Sequence, residues 1–294
     1  RRSPTRTVRM DLPVVVVTYN SRPHVLECLR SLERAAGDGL RLAPIVVDNR
    51  SQDGTVACVR DASPATRVVE TGDNLGYAKA VNRGLAAGPG EYALILNPDC
   101  VVAPDAPAAL LAWMRAHPRC GIAAPRIRNP DGSVEWSARA FPGPFTFLFN
   151  RYSLLTRLFP RNRWSRAYLL SDWDHASPRT VDWVSGAAML VRRAAADAVG
   201  GMDEAFFMFN EDVDWCRRMR DGGWTVDYVP AAEVVHRIGA SAGRVAARVI
   251  LERHRGMIHY FRKHHRAPAP LAALAAGLIM LRARLLIAAN ALRR

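Results

Sequence analysis

The chain has 294 residues, 49% of them hydrophobic and 23% charged, a composition that fits a folded α/β protein and argues against disorder. Its formal net charge of +14 comes almost wholly from arginine, since Lys79 and Lys263 are its only lysines. That balance suits phosphorylated substrates, an anionic membrane face or nucleic acid, but no basic-aromatic recognition motif accompanies it, which weakens the last reading. The cysteines (Cys28, Cys58, Cys100, Cys120, Cys216) include no Cys-x-x-Cys pair, so reduced thiols of a cytosolic compartment fit better than a disulfide framework or a zinc site.

The basic segment Arg1–Arg9 precedes Met10, a candidate start, and the apolar run Val14–Val17 is too short for a signal-peptide core. That run reads as a buried strand ending in Thr18-Tyr-Asn-Ser21. Pro23 suits a first helical turn, with Val25, Leu26, Leu29 and Leu32 as the stripe behind it. Next come a strand at Pro44–Asp48, a helix from about Thr55, a strand at Arg67–Glu70 and a helix over Tyr77–Ala87. A strand ending at Asn97 and a helix from Asp105 to His117 complete this half. The alternation predicts a mostly parallel central sheet with helices on both faces.

From Asn129 to Thr180 the periodicity fails, in a stretch rich in Pro, Arg and aromatics such as Phe141-Pro-Gly-Pro-Phe145 and Trp164. A loop of that length is usually functional or mobile. Regular structure resumes with a strand at Ala187–Val191, a helix over Asn210–Asp221 and a strand at Thr225–Val229, then the flexible Gly239–Gly243. Arg244–Arg266 is basic and helix-compatible, and Pro268–Leu292 is apolar. The uninterrupted run Ala267–Leu281 falls short of the roughly 20 residues a bilayer span needs, and Arg282 and Arg284 break its continuation. An interfacial element on an anionic membrane is therefore expected, with a helix packed on the main domain or on another copy of the chain as the alternative. His254, His259, His264 and His265 read as solvated surface. The expected division is a domain over 1–243, with halves at about 12–125 and 126–243, and an extension over 244–294.

Four segments carry chemistry. Asp99 follows the strand-stopping Pro98, so it points into the crevice where α/β sheets bind ligands, and it suits a hard divalent cation shared with substrate phosphates. An acidic loop ahead of the next helix explains it equally well. Asp48 closes the second strand and suits a base or ribose hydroxyl, or else a plain Asx turn. Around Asn74–Asn82, Gly76 would admit a ligand to the backbone, and the helix N-terminus and Lys79 favour phosphate. In Gly200–Asp214, a Gly-Gly break and an aromatic run lead to three acids at a helix start, where an ionised carboxylate can act as general base. His236 lies just beyond the last strand; alone it is more often structural, but a metal at Asp99 would make it a ligand.

In this order, Val16-Val-Thr-Tyr-Asn-Ser21, Val47-Asp-Asn49, Asp53-Gly-Thr55, Asn74-Leu-Gly-Tyr-Ala78, Asn97-Pro-Asp99 and Asn129-Pro-Asp-Gly-Ser133 resemble the family 2 inverting glycosyltransferases of GT-A fold. Val184-Ser-Gly-Ala187, Gly200-Gly-Met-Asp-Glu204, Glu211-Asp-Val-Asp214 and Val235-His236 complete the resemblance, which leans towards bacterial rhamnosyltransferase-like enzymes of cell-wall and O-antigen assembly. It implies an α/β GT-A (Rossmann-like) fold with a C-terminal helical extension. It implies that Thr18, Asn20, Asp48, Asn49, Gly76, Lys79, Asn82 and Asn97 bind the nucleotide sugar, and that Asp99 and His236 hold Mg²⁺ or Mn²⁺. Asn97 stands where the family often has the first acid of Asp-x-Asp. Asp212 matches the catalytic base, with Glu211, Asp214 and Trp183 as supporting or acceptor-side groups. The Gln-x-x-Arg-Trp motif of processive synthases does not follow Asp212, so single-sugar transfer is expected.

The implied donor is dTDP-rhamnose, with a UDP-sugar or a catalytically inactive nucleotide-sugar-binding protein as alternatives. The implied acceptor is a polyprenyl-diphosphate-linked saccharide at the inner face of the plasma membrane. Nucleic acid is not expected as a partner, and a homo-oligomer stays open.

Overall fold

A strand that is apolar on both faces needs cover on both faces, and β1 (Met10–Thr18) has it. Leu12, Val14 and Val16 join one core cluster, while Val15 and Val17 join the other. The structure is a computed structural model that describes residues 10–37, 39–143, 146, 158, 162–237 and 247–292. Arg1–Arg9, the end of the Phe141–Phe145 run and the Gly239–Gly243 link lie outside the described residues.

The main sheet runs in the order β3 (Arg67–Glu70), β2 (Leu40–Asp48), β1, β4 (Tyr92–Leu96), β11 (Ala188–Arg192), β6 (Cys120–Arg128), β12 (Thr225–His236), β5 (Cys100–Val102). From β3 to β4 the pairings are parallel, as expected; beyond them the sheet is mixed, because β11 runs antiparallel to both β4 and β6. Helices α1 (Arg22–Ala35), α2 (Thr55–Ala62), α3 (Tyr77–Ala87) and α4 (Ala106–Ala116) follow strands of the first half. The cores on the two faces draw on different helices: α1 and α4 pack into one, α3 into the other.

Register positions the functional edge. Parallel pairing of β1 with β2 ends on Thr18 opposite Asp48, and antiparallel pairing of β12 with β5 ends on His236 opposite Cys100, next to Asp99. His236 is therefore inside β12 and not beyond it. That strand is longer than Thr225–Val229 because a register shift between Val229 and Glu233 absorbs Pro230 without ending the pairing with β6. β6 itself gives little strand signal in the sequence: its Gly, Ala and Pro residues leave only Ile122 and Ile127 as strong strand formers.

The aperiodic stretch holds short elements: β7 (Val134–Glu135), β8 (Ala138–Arg139), α5 (Arg163–Leu169) and β9 (Arg179–Thr180). β8 pairs with β10 (Trp183–Val184) in a separate two-stranded sheet. α6 (Arg193–Val199) and α7 (Glu211–Asp221) then lead to the C-terminal pair α8 (Ala247–His264) and α9 (Ala269–Leu292).

The histidines of α8 are not a solvated group. His254 is 2% exposed, His264 Nε2 meets Asp214 Oδ1 at 2.7 Å, and His259 Nε2 meets Asp203 Oδ2 at 3.3 Å. Lys263 Nζ reaches both acids, at 2.6 Å for Asp203 and 2.8 Å for Asp214. Arg248 and Arg253 lie over the rings of Phe207 and Phe209 at 4.4 and 4.3 Å. Gly256 permits this approach, since a Cβ there would meet the Phe209 carbonyl oxygen at 2.8 Å.

α9 passes unbroken through Arg282, so the apolar tail is one helix, and over Ala269–Ala291 it is long and apolar enough to cross a membrane. Ile279 and Ala283 are buried, while Leu271, Leu274, Leu278, Leu281 and Leu285 are exposed.

Candidate active site

At the β1–β2 edge a polar cradle forms. Thr18 Oγ1 donates to Asp48 Oδ1 at 2.8 Å, and Ser51 fills the rest of that carboxylate through its backbone N–H (2.8 Å) and its hydroxyl (2.6 Å). Asn20 sits in left-handed backbone (φ 52); its N–H donates to Ser51 Oγ and its Oδ1 accepts from the Gln52 N–H. Asn49 Nδ2 donates to the Gly76 carbonyl at 3.1 Å, tying the cradle to α3. Thr18, Asn20, Asp48 and Asn49 are thus brought together, and Asp48 acts by holding Thr18 and Ser51. Tyr19, which sequence reasoning passed over, is 52% exposed at the same edge.

Two expected nucleotide contacts turn out to be internal. Gly76 (φ 86) makes room for protein: a Cβ there would collide with the Phe207 carbonyl oxygen, which accepts from the Tyr77 N–H. Asn82 clasps the Gly200–Met202 turn, accepting from the Met202 N–H at 2.9 Å and donating to the Met202 carbonyl at 2.8 Å. Lys79 is half-buried in the first turn of α3. The Asn97 N–H donates to the Ala187 carbonyl at 2.8 Å.

Asp99, Cys100 and His236 place ligand atoms within 4.8 Å of one another. His236 Nε2 lies 3.2 Å from Asp99 Oδ1, and Nδ1 lies 3.2 Å from Glu135 Oε2 on β7. Burial disfavours an imidazolium here, but the two carboxylates outweigh it and hold His236 up at about 9. Cys100 drops out of the donor set: burial pushes its thiol well up, and Sγ donates to the Ala187 carbonyl at 3.4 Å. Asp99 Oδ1 is buried 3.2 Å from His236 Nε2 and has no hydrogen-bond donor among the described residues. An orphaned carboxylate oxygen beside an imidazole whose far nitrogen is held by Glu135 fits a divalent cation with a positioned histidine. Glu135 was missed because a two-residue strand in an aperiodic stretch leaves no signal.

α7 starts at a sharp turn, with Phe209 (φ 68) and Asn210 (φ 70) both left-handed. That turn presents Glu211 and Asp212. Asp212 Oδ2 accepts from the Gly186 N–H at 3.0 Å and Oδ1 from the Val213 N–H at 2.9 Å. Burial raises Asp212 against those N–H groups and the charge of Arg139. Glu211, 5% exposed and with Oε2 unpartnered, is raised well above the usual carboxylate range by burial and by Asp212.

The two acid groups converge. The Tyr77 hydroxyl donates to the Gly186 carbonyl at 2.8 Å, while Ala187 receives the Asn97 N–H and the Cys100 thiol. The Gly186–Ala187 segment thus links Asp212, which its first N–H holds, to Asn97 and Cys100 on either side of Pro98 and Asp99. Burial and the charges of Glu211, Asp212, Cys100 and Asp99 hold the Tyr77 phenol well up. Asp214 does not join them. Its fully buried carboxylate is taken by Arg218 (2.8 Å), Lys263 and His264, which makes it an anchor for α8. Trp183 is also internal: its indole donates to the Ala140 carbonyl at 2.8 Å, and Arg139 covers its ring at 5.1 Å.

A parallel β3–β4 half with a polar cradle at its carboxyl edge, joined to a carboxylate–imidazole pair and a buried acid at a helix start, defines a metal-using, nucleotide-sugar-dependent glycosyltransferase. Residues 14–174 match the glycosyl transferase family 2 model, and the chain belongs to that family. It is 38% identical over 296 residues, covering 96% of this chain and 94% of the relative, to the N-acetylglucosaminyl-diphospho-decaprenol L-rhamnosyltransferase of Mycobacterium tuberculosis. It is 27% identical over 147 residues to the rhamnosyltransferase WbbL of Escherichia coli, half of each chain. In fold it is similar to a mannosyltransferase of Pyrobaculum calidifontis solved with GDP-Man and Mn²⁺ (TM-score 0.58, 21% identity, 98% of this chain and 75% of that one).

Proposed function

We propose that the chain transfers one L-rhamnose from dTDP-rhamnose to a hydroxyl of a polyprenyl-diphosphate-linked saccharide, inverting the anomeric centre in a single displacement. The Gly186–Ala187 segment carries this reading, because it ties Asp212 to the turn that bears Asp99 and so sets a base near a leaving-group site. The mycobacterial relative, matched over nearly its whole length, supports the choice of sugar and acceptor.

Thr18, Asn20 and Asn49 line the base and ribose site, with Asp48 fixing Thr18 and Ser51. Asp99 and His236 are the residues that would hold Mg²⁺ or Mn²⁺, and Glu135 sets the ring of His236. When bound, such a cation offsets charge on the leaving diphosphate. The acceptor oxygen bonds to the anomeric carbon as that carbon's bond to the diphosphate oxygen breaks. The hydroxyl proton passes to Asp212, and the nucleoside diphosphate departs with the electron pair. A carboxylate raised by burial is a stronger base than one at the surface.

α8 and α9 rest on the anionic cytoplasmic face, with Arg255, Arg262 and Arg266 towards headgroups and the exposed leucines of α9 at the acyl boundary. Donor turnover measured across dTDP- and UDP-sugars with each metal tests the donor, and a clear UDP-sugar preference defeats rhamnose. Flotation with anionic vesicles tests the membrane: a chain ending at Arg266 that floats as well as the full one removes the role of α9.

A further inference from the structure

Trp136 follows Glu135 and is unused by the reaction described above. It is 39% exposed and forms one wall of a cavity of about 320 Å³, whose other walls are Asn129, Val134, Glu135 and Leu169. That volume is at the small end of ligand sites, which begin at about 300 Å³, so it suits one or two sugar rings and no longer chain.

The indole is held from behind. His175 stacks on it at 5.9 Å and 11°, and Trp173 stacks on His175 at 4.1 Å. His175 is 2% exposed, and neither ring nitrogen has a hydrogen-bond partner. Its backbone is left-handed (φ 55) and pinned by Arg126 Nη2 (3.2 Å) and the Tyr228 hydroxyl (3.3 Å), both donating to its carbonyl. Backbone strain of this kind persists only where the surroundings over-determine it. The plane of Trp136 is therefore fixed while part of its ring stays open.

Its place relative to the chemistry is specific. Glu135 touches His236, and on the other side the Ser137 carbonyl accepts from the Ser185 N–H at 2.9 Å, one residue before the Gly186 that holds Asp212. β7 pairs with β6, and β4 and β11 separate β6 from the donor cradle on β1 and β2. The cavity thus lies beside the reacting centre, away from the nucleotide edge.

We propose that this cavity is the subsite for the acceptor sugar ring, with Trp136 as its platform. The proposal rests on the glycosyltransferase reading above. A pyranose presents one face of C–H bonds, which stacks on an indole, and polar ring substituents, which meet the Asn129 amide steadied by Ser133 Oγ at 2.9 Å.

The test is steady-state kinetics of Trp136→Ala and Trp136→Tyr, with a short-chain N-acetylglucosaminyl-diphospho-lipid and the nucleotide sugar varied in turn. The expected result is an acceptor KM raised tenfold or more by alanine, a donor KM within twofold of the original, and recovery of most of the loss by tyrosine. A donor KM that rises by the same factor assigns the ring to the donor sugar and overturns the proposal, as does an unchanged acceptor KM. If the alanine variant no longer binds the nucleoside diphosphate with Mn²⁺, Asn129→Ala decides instead: a raised acceptor KM alone supports the subsite, and an unchanged one removes it. Failure of the underlying reading looks different, since the original chain would then neither bind nor hydrolyse any nucleotide sugar.

Discussion

At the β1–β2 edge Asp48 has both oxygens filled by Thr18 and Ser51, whereas at the start of α7 Glu211 keeps a buried oxygen without a donor and Asp212 is held by backbone N–H groups alone. The first arrangement is self-sufficient and fixes shape. The second leaves carboxylates with raised proton affinity, which is what a base needs and what folding resists. Asp214, within a turn of them, is likewise filled: hydrogen bonds from Lys263, His264 and Arg218 depress it below the usual carboxylate range despite its burial.

The largest effect is expected from Asp212→Asn, which removes the proton acceptor and should lower kcat about 10²–10⁴-fold with little change in donor KM. An unchanged kcat with metal present would place the base elsewhere. The activity of the original chain should rise with pH along a limb set by the raised Asp212, above the usual carboxylate range, because only the ionised form accepts a proton. A limb centred at or below about 4 would show that the raised Asp212 does not set it.

Stability should divide the same helix. Asp214→Asn leaves Arg218, Lys263 and His264 without their shared carboxylate and should cost about 3 kcal/mol, read as a lower unfolding midpoint. Because Asp214 is depressed in the fold, its contribution is present above the ordinary carboxylate pKa and is lost as pH falls through the depressed one. Glu211→Gln should act in the opposite sense. Its raised pKa means that ionisation favours the unfolded chain once pH exceeds the ordinary carboxylate value, so at neutral pH the amide should stabilise, by roughly 2–4 °C for each kcal/mol regained. Equal shifts of one sign from both variants would show that the two acids share an environment.

This contrast also explains what could be read from residues alone. Val14–Val17, the Thr18–Asp48 edge, Asp99 and the acids of α7 sit in periodic elements or at their ends, where the pattern fixes direction. β6 was hidden by its small residues and Pro125, and the full length of β12 by Pro230, because pairing partners far along the chain sustained both. Gly76 and Asn82 looked like ligand contacts, yet Phe207 and Met202, more than 100 residues away in sequence, claim them. The histidines of α8 looked exposed because their acids, Asp203 and Asp214, come from other elements. Local spacing shows which side chains carry chemistry, while long-range packing decides which of them remain free to use it.

The smallest effect, and the one that most sharpens the contrast, is expected from Glu135→Gln. Glu135 should not ligate the metal; it holds Nδ1 of His236 so that Nε2 faces Asp99. Replacing the carboxylate with an amide keeps a polar partner but removes a charge, and supporting groups of this kind are typically worth 10–100-fold in metal affinity. The apparent Mn²⁺ affinity for donor turnover should therefore weaken by about tenfold, while kcat at saturating metal stays close to that of the original chain. A fall in kcat that excess Mn²⁺ does not restore would make Glu135 part of the reacting centre instead of the support behind it. The reactive carboxylates would then extend from α7 to β7, and the boundary between shape-fixing and reactive acids would have to be redrawn.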